Sequence, residues 1–138
     1  MINGIFAKPG SGKTIYLALA ALKSKRENVF STSFIRGTRK LDFDELAEKQ
    51  LPENSLVLID EITSYADNRD FKSTKKELIR YITNHRHYSH DIIWCSQHYD
   101  AVDKKIRTNT QNLYSVGMVG VITWGTPNKR PLLGWYAK

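Results

Sequence analysis

Eight consecutive residues, Ala7-Lys8-Pro9-Gly10-Ser11-Gly12-Lys13-Thr14, carry the densest chemistry in the sequence. Gly10 and Gly12 let the backbone curl around an anion with its N–H groups turned inward. A short apolar run, Ile2 to Ala7, leads into the loop and reads as a buried strand. An Ala- and Leu-rich stretch, Thr14 to Lys25, leads out and reads as a helix, whose positive N-terminal end would face the same anion. Lys13 then reaches the β- and γ-phosphates of a nucleoside triphosphate, and the Thr14 hydroxyl is a ligand for Mg²⁺. The pattern is the phosphate-binding loop G-x-x-x-x-G-K-[ST], with Ala7 in place of the first glycine. The expected ATP-contacting residues are Pro9, Gly10, Ser11, Gly12, Lys13 and Thr14.

A second element, Leu56-Val57-Leu58-Ile59-Asp60-Glu61, is an aliphatic strand that ends in two acids. Alone it is a common pattern. Paired with the loop upstream it reads as a Walker B strand, with Asp60 holding the Mg²⁺ through water and Glu61 polarising the attacking water. A base beside the metal ligand favours hydrolysis over transfer to a metabolite. A third element, Ile92-Ile93-Trp94-Cys95-Ser96-Gln97, suits nucleotidases that insert a strand between the other two. Gln97 is then expected to contact the γ-phosphate or the water.

No arginine lies in the loop or beside Asp60, so charge developing on the γ-phosphate needs a cation from elsewhere. Arg86 and Arg107 are the candidates for an arginine finger supplied by a neighbouring subunit, a device worth roughly 10³–10⁵ in rate. The expected catalytic set is Lys13, Glu61, Gln97, Arg107 and Arg86, with Thr14 and Asp60 on the metal. His85, His87, His90 and His98 cluster, but no cysteine or acidic pattern completes a zinc set, and a polar helix end near the site is the preferred reading. Tyr65, Trp94, Trp124, Trp135 and Tyr136 read as core aromatics.

The positioning elements follow from periodicity. Strands are expected over Asn28 to Phe34, Ser55 to Ile59 and Asp91 to Ser96. Helices are expected over Asp42 to Gln50, from a Thr74/Glu77 capping box towards Arg86, and over Ala101 to Thr108. Leu113 to Trp124 is β-rich and glycine-punctuated, consistent with a hairpin, with a last strand near Leu133 to Tyr136. Strands alternating with helices give an α/β fold with a mainly parallel sheet.

With 138 residues, no repeat and no linker, a single domain over 1–138 is expected. Lys and Arg number 21 against 14 Asp and Glu, a net charge of +7 that is compatible with a polyanionic partner. The single cysteine, Cys95, argues for a reducing compartment. No secretory signal is present, and Tyr114 to Gly125 falls short of the roughly 20 apolar residues that span a bilayer. A cytoplasmic location follows as an expectation.

The combination Pro9-Gly10-Ser11-Gly12-Lys13-Thr14, Leu58-Ile59-Asp60-Glu61, Arg86-His87, Asp91-Ile92-Ile93 and Ser96-Gln97, with Arg107 beyond, resembles the zonular occludens toxin (Zot) family. It is similar to the cytoplasmic ATPase domain of filamentous-phage morphogenesis proteins, over most of residues 1 to 115. The Arg-His…Asp-Ile-Ile…Ser-Gln tract is its most discriminating part. The resemblance implies a three-layer P-loop NTPase sandwich of the additional-strand type, related to the FtsK–HerA translocases, with a C-terminal β-hairpin. It also implies ATP-driven assembly of a phage or virus with packaging or extrusion of DNA. The implied partners are viral DNA, other assembly, portal or membrane proteins, and further copies of the chain in a ring. Family members usually continue into a transmembrane helix and an outer domain that these 138 residues do not include; a truncated form, a single-domain relative and a packaging ATPase docked on another protein are the alternatives, and a place at the inner membrane is expected only through partners.

Three other classes use a P-loop. A small-molecule kinase needs an arginine-rich lid and an acceptor pocket, which the Asp60-Glu61 pair does not favour. A GTP switch needs a base reader, and Asn128-Lys129-Arg130-Pro131 lacks its aspartate. A nucleotide-gated assembly adaptor would carry the same motifs without turnover.

Overall fold

The computed structural model describes residues 1–41, 51–66, 73–119 and 134–137. Its elements are β1 (Ile2–Phe6), α1 (Lys13–Lys23), β2 (Asn28–Ser31), β3 (Arg39–Lys40), β4 (Ser55–Ile59), α2 (Thr63–Ala66), α3 (Ser73–Asn84), β5 (Asp91–Ser96), α4 (Lys104–Asn109), β6 (Asn112–Val119) and β7 (Gly134–Ala137). One sheet runs in the order β3-β2-β4-β5-β1-β6-β7. Six strands are parallel, and β7 closes the edge antiparallel to β6. The fold is the expected P-loop sandwich, and β5 is the additional strand. It pairs with β1 on one side and β4 on the other, so the loop strand and the Asp60 strand are not neighbours.

Both faces of the sheet are covered, which explains the unbroken aliphatic runs of β4 and β5. Leu56, Leu58, Ile93, Cys95 and Ile5 point to one side and pack with Leu17 of α1. Val57, Ile59, Ile92, Trp94 and Ile2 point to the other and meet Leu78 and Ile82 of α3 and Ile106 of α4. This period-two division of each strand makes three layers from one sheet. The core also fixes one glycine. A Cβ at Gly4 would overlap the Trp94 ring, whose indole N–H donates to the Thr110 hydroxyl at 3.0 Å.

Several boundaries differ from the sequence expectation. Strand β2 stops at Ser31 rather than Phe34: the Thr32 amide makes a last bond to the Leu58 carbonyl, and the chain then turns into a loop closed by the Thr38 amide on the Ile35 carbonyl. Helix α3 spans Ser73–Asn84, and the Thr74 side chain of the expected capping box lies outside the described residues. The helix then tightens into a 3₁₀ turn over His85–Tyr88. The helix expected from Ala101 splits into a 3₁₀ turn, Tyr99–Ala101, and α4, capped by Asp103 accepting from the Lys105 amide at 2.8 Å. The expected C-terminal antiparallel pair is formed by β6 and β7, Val116 facing Ala137, and residues 120–124 of the Leu113 to Trp124 tract lie outside the described residues. The helix expected over 42–50 lies outside the described residues. Among the described residues no helix is long and apolar enough to cross a membrane.

Candidate active site

In a parallel sheet the loops after the strands gather at one edge, where ligands bind. Here β1 delivers the Ala7–Gly12 loop, β2 delivers Thr32, β4 delivers Asp60 and Glu61, and β5 delivers Gln97. Gly10 and Gly12 adopt φ of 73° and 81°, left-handed values that a side chain would oppose. They turn the chain back into the first turn of α1, and the Tyr16 amide closes the helix onto the Gly12 carbonyl at 3.0 Å.

Lys13 is buried in this loop. Its ammonium donates to the carbonyls of Ala7 at 2.9 Å and Lys8 at 3.2 Å. A lysine held by two carbonyls has a third N–H to offer, and its charge is fixed at the mouth of the loop. Thr14 follows on the exposed side, and its hydroxyl donates to Asp60 Oδ2 at 2.9 Å. The two expected metal ligands, 46 residues apart in sequence, therefore touch.

Asp60 is set by a residue that the sequence did not single out. Its amide donates to Thr32 Oγ1 at 2.8 Å, while the Thr32 amide donates to the Leu58 carbonyl at 3.0 Å. Thr32 thus fastens the end of β4 to the end of β2 from both directions, a positioning role. A polar residue closing the strand beside β4 is the signal, readable only once the strand order is known.

Glu61 has φ of 53°, an unusual value for a long side chain and one associated with functional turns. The kink turns its carboxylate towards β5, where Oε1 accepts from the Thr63 hydroxyl and from the Gln97 amide at 3.4 Å. Gln97 is therefore brought beside Glu61, but its backbone makes the contact and its side chain is exposed. Cys95 is buried close by. Burial first, then the carboxylates of Asp60 and Glu61, hold its thiol far above the ordinary range, with Lys13 opposing. It remains a neutral wall of the site.

The two arginines take opposite places. Arg107 stacks 4.7 Å above the Tyr99 ring, which itself packs on Phe6 at the end of β1, and its Nη1 reaches exposed Asp100 at 3.4 Å. It lies on the edge of its own site. Arg86 is exposed in the 3₁₀ turn that precedes β5, at the opposite edge of the sheet. Two of the histidines serve the fold. His85 Nδ1 donates to the Ile82 carbonyl at 2.7 Å, and His90 bridges the Tyr81 hydroxyl at 2.8 Å and the Pro52 carbonyl at 2.9 Å. Burial holds both imidazoles below the usual histidine range, against the pull of those carbonyls. Among the described residues no group of three or more His, Cys, Asp or Glu side chains converges as a metal cage.

The family model for Zonular occludens toxin (Zot) matches residues 11–129. The fold is similar to the N-terminal domain of zonular occludens toxin from Neisseria meningitidis, with TM-score 0.65 and 22% identity over 84% of this chain and 76% of that one. It is also similar to the genome packaging NTPase B204 from Sulfolobus turreted icosahedral virus 2, solved with ATP-gammaS. There the TM-score is 0.57 and the identity 12%, over 83% of this chain and 72% of that one. A third likeness is to a chain of the E. coli MS115-1 HORMA:CdnC:Trip13 complex, with TM-score 0.54 and 18% identity, over 83% of this chain and 47% of that one. At these identities the likeness to each structure is one of fold. Among curated protein sequences none matches significantly.

Proposed function

Because this chain belongs to the zonular occludens toxin (Zot) family, we propose that it is an ATPase that works as a homo-oligomeric ring on DNA during phage or virus assembly. In this reading it is cytoplasmic and docks on other assembly, portal or inner-membrane proteins. The observation that carries it is the 2.9 Å contact between Thr14 and Asp60, with Lys13 buried in the loop beside them. A P-loop and an acidic strand end that met by chance in sequence would have no reason to converge across an inserted strand.

The roles follow from placement. The loop amides and Lys13 hold the phosphates, and Lys13 offsets charge on the β- and γ-groups. Thr14 and Asp60 are oxygen donors of the kind Mg²⁺ prefers, and the ion, when bound there, neutralises phosphate charge. Glu61, turned inward by its φ and steadied by Thr63 and the Gln97 amide, accepts the proton of the attacking water. Gln97 couples that carboxylate to β5, the strand that lies between the two motifs. The likeness to a packaging NTPase fold and the +7 charge support DNA as the track.

Steady-state ATP hydrolysis, measured with and without single- and double-stranded DNA across protein concentration, tests this reading. Turnover that rises with both DNA and protein concentration is expected. Phosphoryl transfer to a metabolite would instead make it a kinase. An absence of turnover under all conditions would leave a nucleotide-gated adaptor.

A further inference from the structure

Phe34 is 99% exposed, the extreme among the large hydrophobic side chains of the described residues. It does not sit on a loose segment. The loop that carries it leaves β2 at Thr32 and returns at Leu41, whose amide donates to the Ser31 carbonyl at 2.8 Å and closes the neck. Inside, the Thr38 amide and hydroxyl both donate to the Ile35 carbonyl, at 3.1 and 2.9 Å, across Gly37 with φ of 85°. Ile35 is buried against the α1 face of the core. Anchoring Ile35 inward turns its neighbour Phe34 outward, so the exposure is built into the turn. A compact loop pinned at neck and base is of the kind that carries function.

The same loop is cationic. Arg36, Arg39 and Lys40 are exposed, and no acidic residue lies between Val29 and Leu41. Arg39 stands 6.0 Å over the Phe30 ring, which keeps its charge at the sheet edge. A whole aromatic face in water, on a loop that also carries three exposed cations, matches the chemistry of unpaired nucleotides, where bases stack on the ring and phosphates meet the cations. A duplex offers the phosphates but keeps its bases stacked, so only a single strand uses both halves of this surface.

We propose that the Thr32–Lys40 loop binds single-stranded nucleic acid, with Phe34 as the base-stacking platform and Arg36, Arg39 and Lys40 on the phosphates. The inference rests on the DNA reading above and names the form of the nucleic acid and the place it binds. It also gives that binding a route to the nucleotide site. Thr32, the first residue of the loop, accepts the Asp60 amide at 2.8 Å, so a strand pulling on the loop pulls on the end of β4.

Fluorescence anisotropy with labelled oligo-dT and a duplex of equal length, at stepped salt, tests this. Phe34→Leu keeps bulk but removes the π face. Its affinity for oligo-dT is expected to fall about 5- to 150-fold, with the duplex affected far less. Phe34→Trp should restore binding. The triple variant Arg36→Ala/Arg39→Ala/Lys40→Ala should flatten the log–log salt slope by about 2, from roughly 0.7 for each single-strand phosphate contact. ATP hydrolysis without DNA should be unchanged in Phe34→Leu, which verifies the fold. Wild-type affinity for oligo-dT in Phe34→Leu would overturn the loop while leaving the DNA reading standing. Equal losses on single strand and duplex would overturn the stacking role. If Phe34→Leu binds oligo-dT normally and instead changes only self-association, the ring is a protein contact. No binding of either nucleic acid by the wild type at low salt would remove the DNA reading itself, and this inference with it.

Discussion

Glu61→Gln is expected to retain ATP while its turnover falls by about 10²–10⁴, the usual contribution of a positioned general base. The amide is nearly isosteric and still accepts a hydrogen bond from the Thr63 hydroxyl and the Gln97 amide, the two contacts that steady Glu61. The turn at φ 53° therefore has no new reason to rearrange. What is lost is the capacity to take a proton from water. Nucleotide contacts arise elsewhere, from the loop amides and Lys13, so affinity should survive. Single-turnover hydrolysis measured beside equilibrium ATP binding separates the two effects. Turnover at the wild-type rate would remove Glu61 from the role of base, and a parallel loss of binding would make it a structural residue.

The site was legible in the sequence wherever chemistry is local. Loop and helix are contiguous, so Gly10, Gly12 and Lys13 could be placed from spacing alone. Asp60 followed because a fully buried strand ending in acids is itself a pattern, and β4 and β5 have the bounds that their aliphatic runs imply. Relations between strands were not legible. Thr32 reads as one of several Ser and Thr residues after β2, and only the β2–β4 pairing, Ser31 beside Leu58, brings it to Asp60. The same limit applies to Gln97, whose backbone contact with Glu61 depends on β5 lying beside β4 and has no signal in the sequence. The antiparallel C-terminal pair, β6 with β7, is as expected, and Gly117 lies within the strand opposite Tyr136. Parallel neighbours far apart in sequence, such as β2 and β4, leave no periodic trace.

The second large effect concerns Arg86. On the proposed roles the site has a phosphate grip, metal donors and a base but lacks a cation for the γ-phosphate, and Arg107 stacks on Tyr99 and reaches Asp100. Arg86 is exposed in the 3₁₀ turn before β5, and in the proposed ring it is the arginine offered to an adjacent copy. A cation supplied in trans contributes about 10³–10⁵ in rate, so the isolated chain should be slow and assembly should activate it. Subunits carrying Arg86→Ala with intact motifs, mixed with subunits carrying Glu61→Gln with intact arginines, should regain activity that neither has alone. Recovery arises at interfaces where an intact site faces an intact arginine. The same mixture prepared with Arg107→Ala should show no such complementation; complementation there instead would move the role to Arg107. Activity independent of protein concentration, with no recovery in either mixture, would replace the ring by a monomeric nucleotidase.

In the proposed function the Ala7–Thr14 loop and Asp60 form a single site for the triphosphate of ATP. Titration calorimetry of ATP with Mg²⁺ into the wild type and Lys13→Ala addresses it most directly. Lys13 is buried in the loop, where its ammonium is held by the carbonyls of Ala7 and Lys8. Removing it deletes the fixed charge opposite the β- and γ-phosphates, so Lys13→Ala should show most of the wild-type affinity lost while its thermal unfolding remains cooperative. A folded Lys13→Ala protein that binds ATP as tightly as the wild type would place the nucleotide elsewhere and contradict the account.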